Sequence, residues 1–323
     1  MAFAFAVTNG FHDAANAIAT LVATRAARPI GAVALASAFT LIGPLVLGTA
    51  VAETVAGVIS VPRASLVPVV GAALSGAVGW NVLTWVLRLP SSSSHALVGG
   101  LAGAALAEAG PGAVRWVGDG GLGFAGVLLG LAISPLLGAT AAAVLELRLR
   151  AWLGRASARI GPSVRRAQWA TSAVLALAHG ANDAHKTVGL VAVVALASGT
   201  GMSPDPPAWA APTVALALTV GTALGGWRIA RTIGRRIFRL RPLDALASQG
   251  GSAAVIVLAS LLGAPVSTSQ VVASSVVGAG IGKRRTRRIR WRVVRQIALA
   301  WVTTVPAAGL AAAASLPAWR WLA

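Results

Sequence analysis

Two aspartates, Asp13 and Asp183, stand inside stretches of this sequence that are otherwise apolar. An ionised carboxylate in apolar, membrane-like surroundings costs at least ~2.5 kcal/mol, so acids in such places mark ion or proton sites by default. A structural ion pair is the alternative, because Lys186 follows Asp183 by about one helical turn. Since the acid occurs twice in similar contexts, we expect Asp13 and Asp183 to bind a coupling cation or a proton.

Three asparagines lie next to these acids and extend the predicted cation site: Asn9, Asn16 and Asn182. Their side-chain oxygens suit a cation, and their amide N–H groups suit an anion. Lys186 occupies the place that Asn16 has in the first stretch. Its ammonium either offsets the charge of a bound anion or pairs with Asp183, and the sequence leaves both readings open.

Two proline-led hydroxyl motifs form the second candidate site, PSSSSH at 90–95 and PVSTSQ at 265–270. A proline at a helix start leaves the following N–H groups unpaired, and small hydroxyl side chains let an anion approach them. Such a helix N-terminus is a ready oxyanion site. A flexible loop or small-residue packing is the alternative. The paired occurrence favours anion binding by Ser92, Ser93, Ser94, Ser267, Thr268 and Ser269, with Lys186 as a further candidate.

All four histidines of the chain lie in or beside these motifs: His12, His95, His179 and His185. A neutral histidine can donate a hydrogen bond to an anion, and a histidine can relay a proton near neutral pH. Each of them could equally be a structural donor in an apolar helix. We therefore treat His12, His95 and His179 as accessory candidates.

The motifs indicate an internal duplication. NGFHDAAN at 9–16 aligns with HGANDAHK at 179–186, which matches Gly10 to Gly180 and Asp13 to Asp183. The proline-led motifs follow in the same order and at a similar separation. Repeats of this kind that are inverted in the membrane place their binding site at the repeat interface near the bilayer midplane.

The composition is that of a membrane protein. Of the 323 residues 56% are hydrophobic and 11% are charged, and the mean hydropathy is +0.77, whereas a soluble domain has about 25% charged residues. We expect an all-α membrane protein, a polytopic helical bundle of about ten membrane segments built as two inverted-topology repeats of five. The predicted segments are 1–24, 30–59, 65–88, 91–109, 121–147, 169–199, 209–230, 243–263, 265–282 and 293–316.

The charge pattern predicts the orientation of this bundle. Most of the 27 basic residues fall in short connections on one side of the predicted bundle, and such connections face the cytoplasm. This predicts a multi-pass protein of the cell membrane with both termini outside, a first repeat at 1–147, a basic cytoplasmic linker at 148–168 and a second repeat at 169–323.

The same pattern excludes other classes of protein. The net charge of +19 does not indicate a nucleic-acid partner, because the positive-inside rule accounts for it. The chain has no cysteine, which excludes disulfides and thiolate chemistry. A hydrolase that uses Ser94, His95 and Asp13 lacks the Gly-x-Ser-x-Gly elbow, so we expect neither an enzyme nor a cofactor. The lipid bilayer is the expected partner, and a homo-oligomer stays open.

At these motifs the sequence resembles the PiT family of inorganic phosphate transporters in its bacterial low-affinity form. NGFHDAANA at 9–17 and HGANDAHKT at 179–187 resemble the duplicated signature of that family, and residues 90–95 and 265–270 resemble its serine/threonine hairpins. The resemblance implies symport of inorganic phosphate with a proton or sodium ion, by alternating access between two inverted halves. It implies a coupling role for Asp13 and Asp183 and anion contacts from residues 92–94 and 267–269.

The sequence departs from the family pattern at His185 and Gln270, where relatives often carry a glutamine and a histidine. A proton-relay role at these two positions is therefore open, and Gln270 stays an accessory candidate. A carrier of sulfate or another tetrahedral oxyanion with the same architecture is the nearest alternative function. A passive anion channel is a more distant alternative, because paired half-helices also line pores.

Overall fold

The computed structural model describes residues 1–47, 57–118, 123–153, 160–199 and 205–322. These residues are almost entirely helical, with one isolated antiparallel bridge between Ile59 and Val114. The α-helices are α1 (Ala2–Ala23), α2 (Pro29–Val46), α3 (Leu66–Val86), α4 (Ser93–Ala109), α5 (Phe124–Leu153), α6 (Gly161–Ala197), α7 (Ala210–Leu224), α8 (Trp227–Arg231), α9 (Pro242–Leu261), α10 (Thr268–Gly282) and α11 (Trp291–Leu322). A π-helical segment, Thr232–Ile237, continues α8.

Several of these helices are long and apolar enough to cross a membrane. Among the described residues they are α2, α3, α5, α9 and α11. Helix α7 and the segment after it are apolar enough when taken together, but they are bent by 56° and form either a broken span or a re-entrant loop. Side chains such as Leu136 and Val302 stay exposed on the outer faces of α5 and α11, where lipid takes the place of a protein partner. The predicted class, a multi-pass helical membrane protein, is confirmed at this level.

Five of the ten predicted segments begin and end within three residues of a helix: 1–24, 65–88, 91–109, 243–263 and 265–282. The predicted segment 209–230 instead breaks after Leu224, because Gly225 has φ +71° and glycine adopts this left-handed conformation without strain. The predicted connection 148–168 is helical at both ends, since α5 continues to Leu153 and α6 begins at Gly161. Residues 154–159, and residues 48–56 of the predicted segment 30–59, lie outside the described residues.

The two halves of the chain pack through reciprocal pairs of helices, one helix of each pair coming from each half. Helix α1 packs on α7 and α6 packs on α2, while α5 packs on α10 and α11 packs on α4. Glycines permit these close crossings: a Cβ on Gly10 would lie 2.1 Å from the Leu218 carbonyl oxygen, and one on Gly43 would lie 2.1 Å from that of Leu177. This packing between the halves buries the short helices α4 and α10, whose first turns lie inside the protein.

Charged side chains join helices near their ends. Arg150 of α5 bridges Glu146 and Asp244, with Nη2 2.9 Å from Asp244 Oδ1, and Lys283 Nζ lies 2.7 Å from Asp244 Oδ2. Burial lowers the pKa of Lys283, and the Asp244 carboxylate opposes that shift. In the second half Arg320 of α11 pairs with Glu108 at 2.8 Å. The Asp244 pairs thus join α5 and the end of α10 to α9, and the Glu108 pair joins α11 to α4.

Candidate functional site

Helices α4 and α10 begin in the same way. Ser92 is the N-cap of α4 and its Oγ accepts a hydrogen bond from His95 N at 3.2 Å, while Ser267 caps α10 and accepts from Gln270 N at 3.4 Å. Serine favours this position because its side-chain oxygen satisfies one of the unpaired N–H groups of the first turn. The other N–H groups of each first turn have no partner within the helix.

These two helix starts meet inside the protein. Ser267 Oγ donates to Ser92 Oγ at 2.8 Å, and both side chains are fully buried. The predicted serine motifs, which are far apart in the sequence, are therefore in direct contact. Two helix N-termini, each with a partial positive charge of about half a unit, face one buried region.

Asp13 of α1 lies against both helix starts. Ser93 Oγ donates to Asp13 Oδ2 at 2.8 Å, and Ser269 Oγ donates to Asp13 Oδ1 at 2.8 Å. Asn16 Nδ2 donates to Ser269 Oγ at 3.4 Å. The carboxylate of one half of the chain is thus bound by hydroxyls from both halves.

His12 holds the other side of the Asp13 carboxylate. Its Nδ1 lies 3.0 Å from Asp13 Oδ1, and its Nε2 lies 3.2 Å from both Thr84 Oγ1 and Ser91 Oγ. Sequence reasoning missed Thr84 and Ser91. Ser91 belongs to the hydroxyl motif and could have been included, whereas Thr84 is an isolated polar residue in an apolar run and gives no signal.

Asp183 of α6 has a different set of partners. Lys186 Nζ donates to Asp183 Oδ1 at 3.0 Å, to Ser94 Oγ at 2.6 Å and to the Val266 carbonyl oxygen at 3.2 Å. Thr268 Oγ1 donates to Asp183 Oδ2 at 3.4 Å. Lys186 therefore pairs with Asp183 and also reaches the serine motif of the other half, so both readings of this residue have a structural basis.

Three buried side-chain oxygens, two at the predicted cation site and one at an accessory candidate, lack a hydrogen-bond partner among the described residues. They are the side-chain oxygens Asn9 Oδ1, Asn182 Oδ1 and Gln270 Oε1. Asn182 Nδ2 donates to Ser260 Oγ at 3.4 Å. A buried polar atom without a partner costs about 1–3 kcal/mol. Such oxygens suit a cation.

The remaining histidines divide between the site and its surroundings. His179 Nδ1 lies 3.3 Å from Asp183 Oδ2, although among the described residues neither ring nitrogen makes a well-aligned hydrogen bond. His95 Nδ1 lies 2.8 Å from Ser92 Oγ. His185 Nε2 lies 3.2 Å from the Pro44 carbonyl oxygen on α2, away from the hydroxyl motifs.

The assembled cluster combines opposite kinds of groups. Hydroxyls and helix N-termini can surround an oxyanion, while two carboxylates and several amide oxygens can hold a cation or a proton. In this arrangement the Ser93 and Ser269 hydroxyls donate to Asp13 rather than to an anion. An anion that bound between the two helix starts would have to replace these contacts with Asp13.

The sequence is similar to those of known proteins along most of its length. The profile of the phosphate transporter family matches residues 9–312. The chain is 40% identical over 321 residues to a protein of Mycobacterium tuberculosis, with 97% of this chain and 74% of the relative covered. It is 40% identical to a protein of Rhizobium meliloti, covering 97% and 92%, and 35% identical to one of Bacillus subtilis, covering 94% and 91%. Each is named "Probable low-affinity inorganic phosphate transporter".

A solved structure shares the fold. It is described as "The sodium-dependent phosphate transporter" and superimposes with a TM-score of 0.84 over 99% of this chain and 96% of that chain. The sequence identity is 23%, so this likeness concerns the fold alone.

Proposed function

The chain belongs to the phosphate transporter family, and we propose that it carries inorganic phosphate across the membrane by symport with a proton or a sodium ion. The observation that carries this proposal is the contact between the N-caps of α4 and α10, at 2.8 Å, with Asp13 bound to the first turns of both helices. Phosphate takes the position between the two helix starts, where N–H groups and hydroxyls donate to its oxygens.

The chemistry of the cluster favours phosphate over sulfate. Phosphate near neutral pH keeps one or two protons and can donate hydrogen bonds, whereas sulfate only accepts them. Asp13 and Asp183 supply buried carboxylate acceptors beside the helix starts. A site with such acceptors discriminates against an anion that leaves them unpaired.

The same carboxylates supply a reason for coupling. A phosphate anion beside the buried Asp13 carboxylate is strongly repelled unless a positive charge enters with it, whereas Lys186 already offsets the charge of Asp183. A proton on a carboxylate, or a sodium ion held by a carboxylate and by the oxygens of Asn9 and Asn182, removes this repulsion. The names of the relatives and of the structural neighbour support phosphate as the anion and agree with a cation as its partner.

We further propose that the chain consists of two inverted repeats of five membrane segments, 1–147 and 169–323, joined by a basic linker. The reciprocal packing of α1 with α7 and α6 with α2 supports this, because a duplication produces matched pairs of contacts. In this proposal the basic connections are cytoplasmic, both termini lie outside, and phosphate crosses by alternating access as one repeat moves against the other.

Uptake of labelled phosphate into proteoliposomes tests the proposal. We expect saturable uptake that follows an imposed proton or sodium gradient, and loss of about a hundredfold or more in Asp13→Asn, because the buried coupling group is removed. Asp205→Asn is the matched control, since Asp205 is exposed and lies outside the cluster, and it should retain the wild-type rate. Full gradient-dependent uptake by Asp13→Asn would contradict the coupling role.

The same assay separates the alternatives. Unlabelled phosphate should suppress uptake at much lower concentrations than unlabelled sulfate does. Equal suppression by sulfate would make the protein a general oxyanion carrier. Flux that does not saturate and does not need a cation would indicate a channel.

A further inference from the structure

A second candidate site lies at the ends of α1 and α10 that are remote from the aspartate cluster. A cavity of about 830 Å³ opens there between the end of α1, the segment between α8 and α9, and the segment that follows α10. Eight of its lining residues are basic: Arg25, Arg235, Arg239, Arg241, Lys283, Arg285, Arg288 and Arg290.

The positive charges of this cavity are almost uncompensated. Within the part of the chain that the structure describes, Lys283 is the one lining cation with a carboxylate partner, Asp244. The connecting stretches 24–29, 225–241 and 283–292 contain no aspartate or glutamate. Cations gathered around one space repel each other and destabilise the protein unless an anion joins them.

The positive-inside rule accounts for basic residues in these connections but not for their convergence. Arg236, Arg287 and Arg292 belong to the same segments, are exposed, and do not line the cavity. Eight other basic residues, from three separate stretches of chain, do line it. The fold therefore brings some basic residues of these connections to the wall of the cavity and leaves others away from it.

The cavity is separate from the aspartate cluster. From Asp13 the helix α1 runs about 15 Å to its end at Ala23, and α10 runs about 20 Å from Ser269 to Gly282, at 1.5 Å per residue. A single phosphate ion cannot contact both regions. The two sites share α1 and α10, so a ligand in the cavity would contact the ends of the two helices that carry Asp13 and Ser269.

We propose that this cavity is a second anion site, which binds a ligand with several linked or neighbouring phosphoryl groups. Arginine presents planar pairs of N–H donors that match phosphate oxygens, and a volume of about 830 Å³ lies in the range of small-molecule sites. One inorganic phosphate is too small to neutralise the seven lining arginines spread around this space. The phosphoryl groups come either from a soluble polyphosphate or phosphate ester, or from the headgroups of anionic lipids.

Calorimetric titration with tripolyphosphate tests this, using the full chain in nanodiscs of a zwitterionic lipid. We expect one saturable site in the wild type. The triple variant R239Q/R288Q/R290Q removes three lining charges and should bind about tenfold more weakly. The matched control R236Q/R287Q/R292Q removes the same charge from the same segments outside the cavity, and its affinity should change by about twofold or less.

Three results would overturn the proposal. One is the absence of saturable binding in the wild type. Another is equal weakening in both triple variants, which would indicate a diffuse charge effect. The third is loss of tripolyphosphate binding in Asp13→Asn, which would place the ligand at the aspartate cluster. Because binding is measured rather than uptake, failure of phosphate transport and failure of this site are distinguishable.

Nanodiscs that contain phosphatidylglycerol identify the source of the phosphoryl groups. If the ligand is soluble, the negative surface potential of the anionic nanodiscs lowers the apparent tripolyphosphate affinity of the wild type and of both triple variants by the same factor. If lipid headgroups occupy the cavity, the affinity falls in the anionic nanodiscs for the wild type and for R236Q/R287Q/R292Q. It falls less for R239Q/R288Q/R290Q, which has lost part of the site.

Discussion

The Asp13 half and the Asp183 half of the central cluster hold their carboxylates in different ways. Asp13 accepts hydrogen bonds from two hydroxyls, of Ser93 and Ser269, and its one direct contact with a basic side chain, among the described residues, is with His12. Asp183 has a lysine ammonium, that of Lys186, at 3.0 Å. Asn16, which corresponds to Lys186, contacts Ser269 in the way that Lys186 contacts Ser94. The presence of Lys186 where the first half has Asn16 thus adds an ion pair with the neighbouring aspartate.

This difference assigns unequal electrostatic roles to the two halves. In the second half Lys186 already offsets the charge of Asp183, so under the proposed function this half needs no further cation when phosphate binds. In the first half the compensation has to come from a proton or a sodium ion. The cation that accompanies phosphate is therefore expected at Asp13, and Lys186 takes the place of a second one.

The largest expected effect is that of Lys186→Met. This change leaves Asp183 buried without its cation, and breaking a buried ion pair on one side costs about 3–5 kcal/mol. Asn16→Ala in the other half removes only a neutral hydrogen bond and should cost about 1 kcal/mol. Unfolding by sodium dodecyl sulfate, followed by tryptophan fluorescence in detergent micelles, measures both free energies.

The double variant Asp183→Asn/Lys186→Met is the control for this prediction. Because it removes both charges, it should recover most of the stability that Lys186→Met loses. If the double variant is as unstable as the single one, the loss reflects the packing of the lysine stem rather than its charge. Equal costs for Lys186→Met and Asn16→Ala would remove the electrostatic distinction between the halves.

A smaller effect is expected from Lys186→Asn, which gives the second half the residue of the first. Asp183 then needs an external cation, so phosphate uptake should depend more steeply on the cation concentration. At limiting cation the apparent affinity for phosphate should fall about tenfold, and a saturating cation should restore it. Initial uptake rates across a matrix of phosphate and cation concentrations measure this shift, and an unchanged cation dependence would contradict a charge role for Lys186.

Some residues of the two half-sites can be predicted from the sequence, and some of their contacts cannot. Asp13, Asp183 and the serine motifs interrupt apolar runs twice in the same order, so polarity and duplication together identify them. The bond from Ser269 to Asp13 crosses from one half to the other. It depends on how α10 packs beside α1, which local sequence patterns do not specify.

The limits of sequence reasoning are similar for the fold. Helix positions follow from apolar length, and α3, α9 and α10 begin and end within about three residues of the predicted segments. The break after Leu224 follows from the conformation of one glycine in a pair, Gly225 and Gly226, and hydropathy does not reveal it. His185 illustrates the same limit at the site, because its contact with the Pro44 carbonyl depends on the close crossing of α2 and α6.

The smallest expected difference between the two halves is in the KM for phosphate when either N-cap serine is replaced. Ser92 Oγ contacts Ser267 Oγ, His95 N and His95 Nδ1, whereas Ser267 Oγ contacts only Ser92 Oγ and Gln270 N among the described residues. Loss of a serine N-cap costs about 1 kcal/mol, which is about fivefold in an affinity. Ser92→Ala should therefore raise the apparent KM for phosphate by about fivefold to tenfold, and Ser267→Ala by about fivefold or less.

Ser315→Ala is the matched control for these two variants. Ser315 lies on α11 and donates to the Ala312 carbonyl oxygen, so its removal should leave the KM within about twofold of the wild-type value. A larger rise in Ser267→Ala than in Ser92→Ala would reverse the assignment, because the second helix start would then contribute more to phosphate binding. Since both caps meet at one contact, the variant that combines them should lose less than the product of the two single losses.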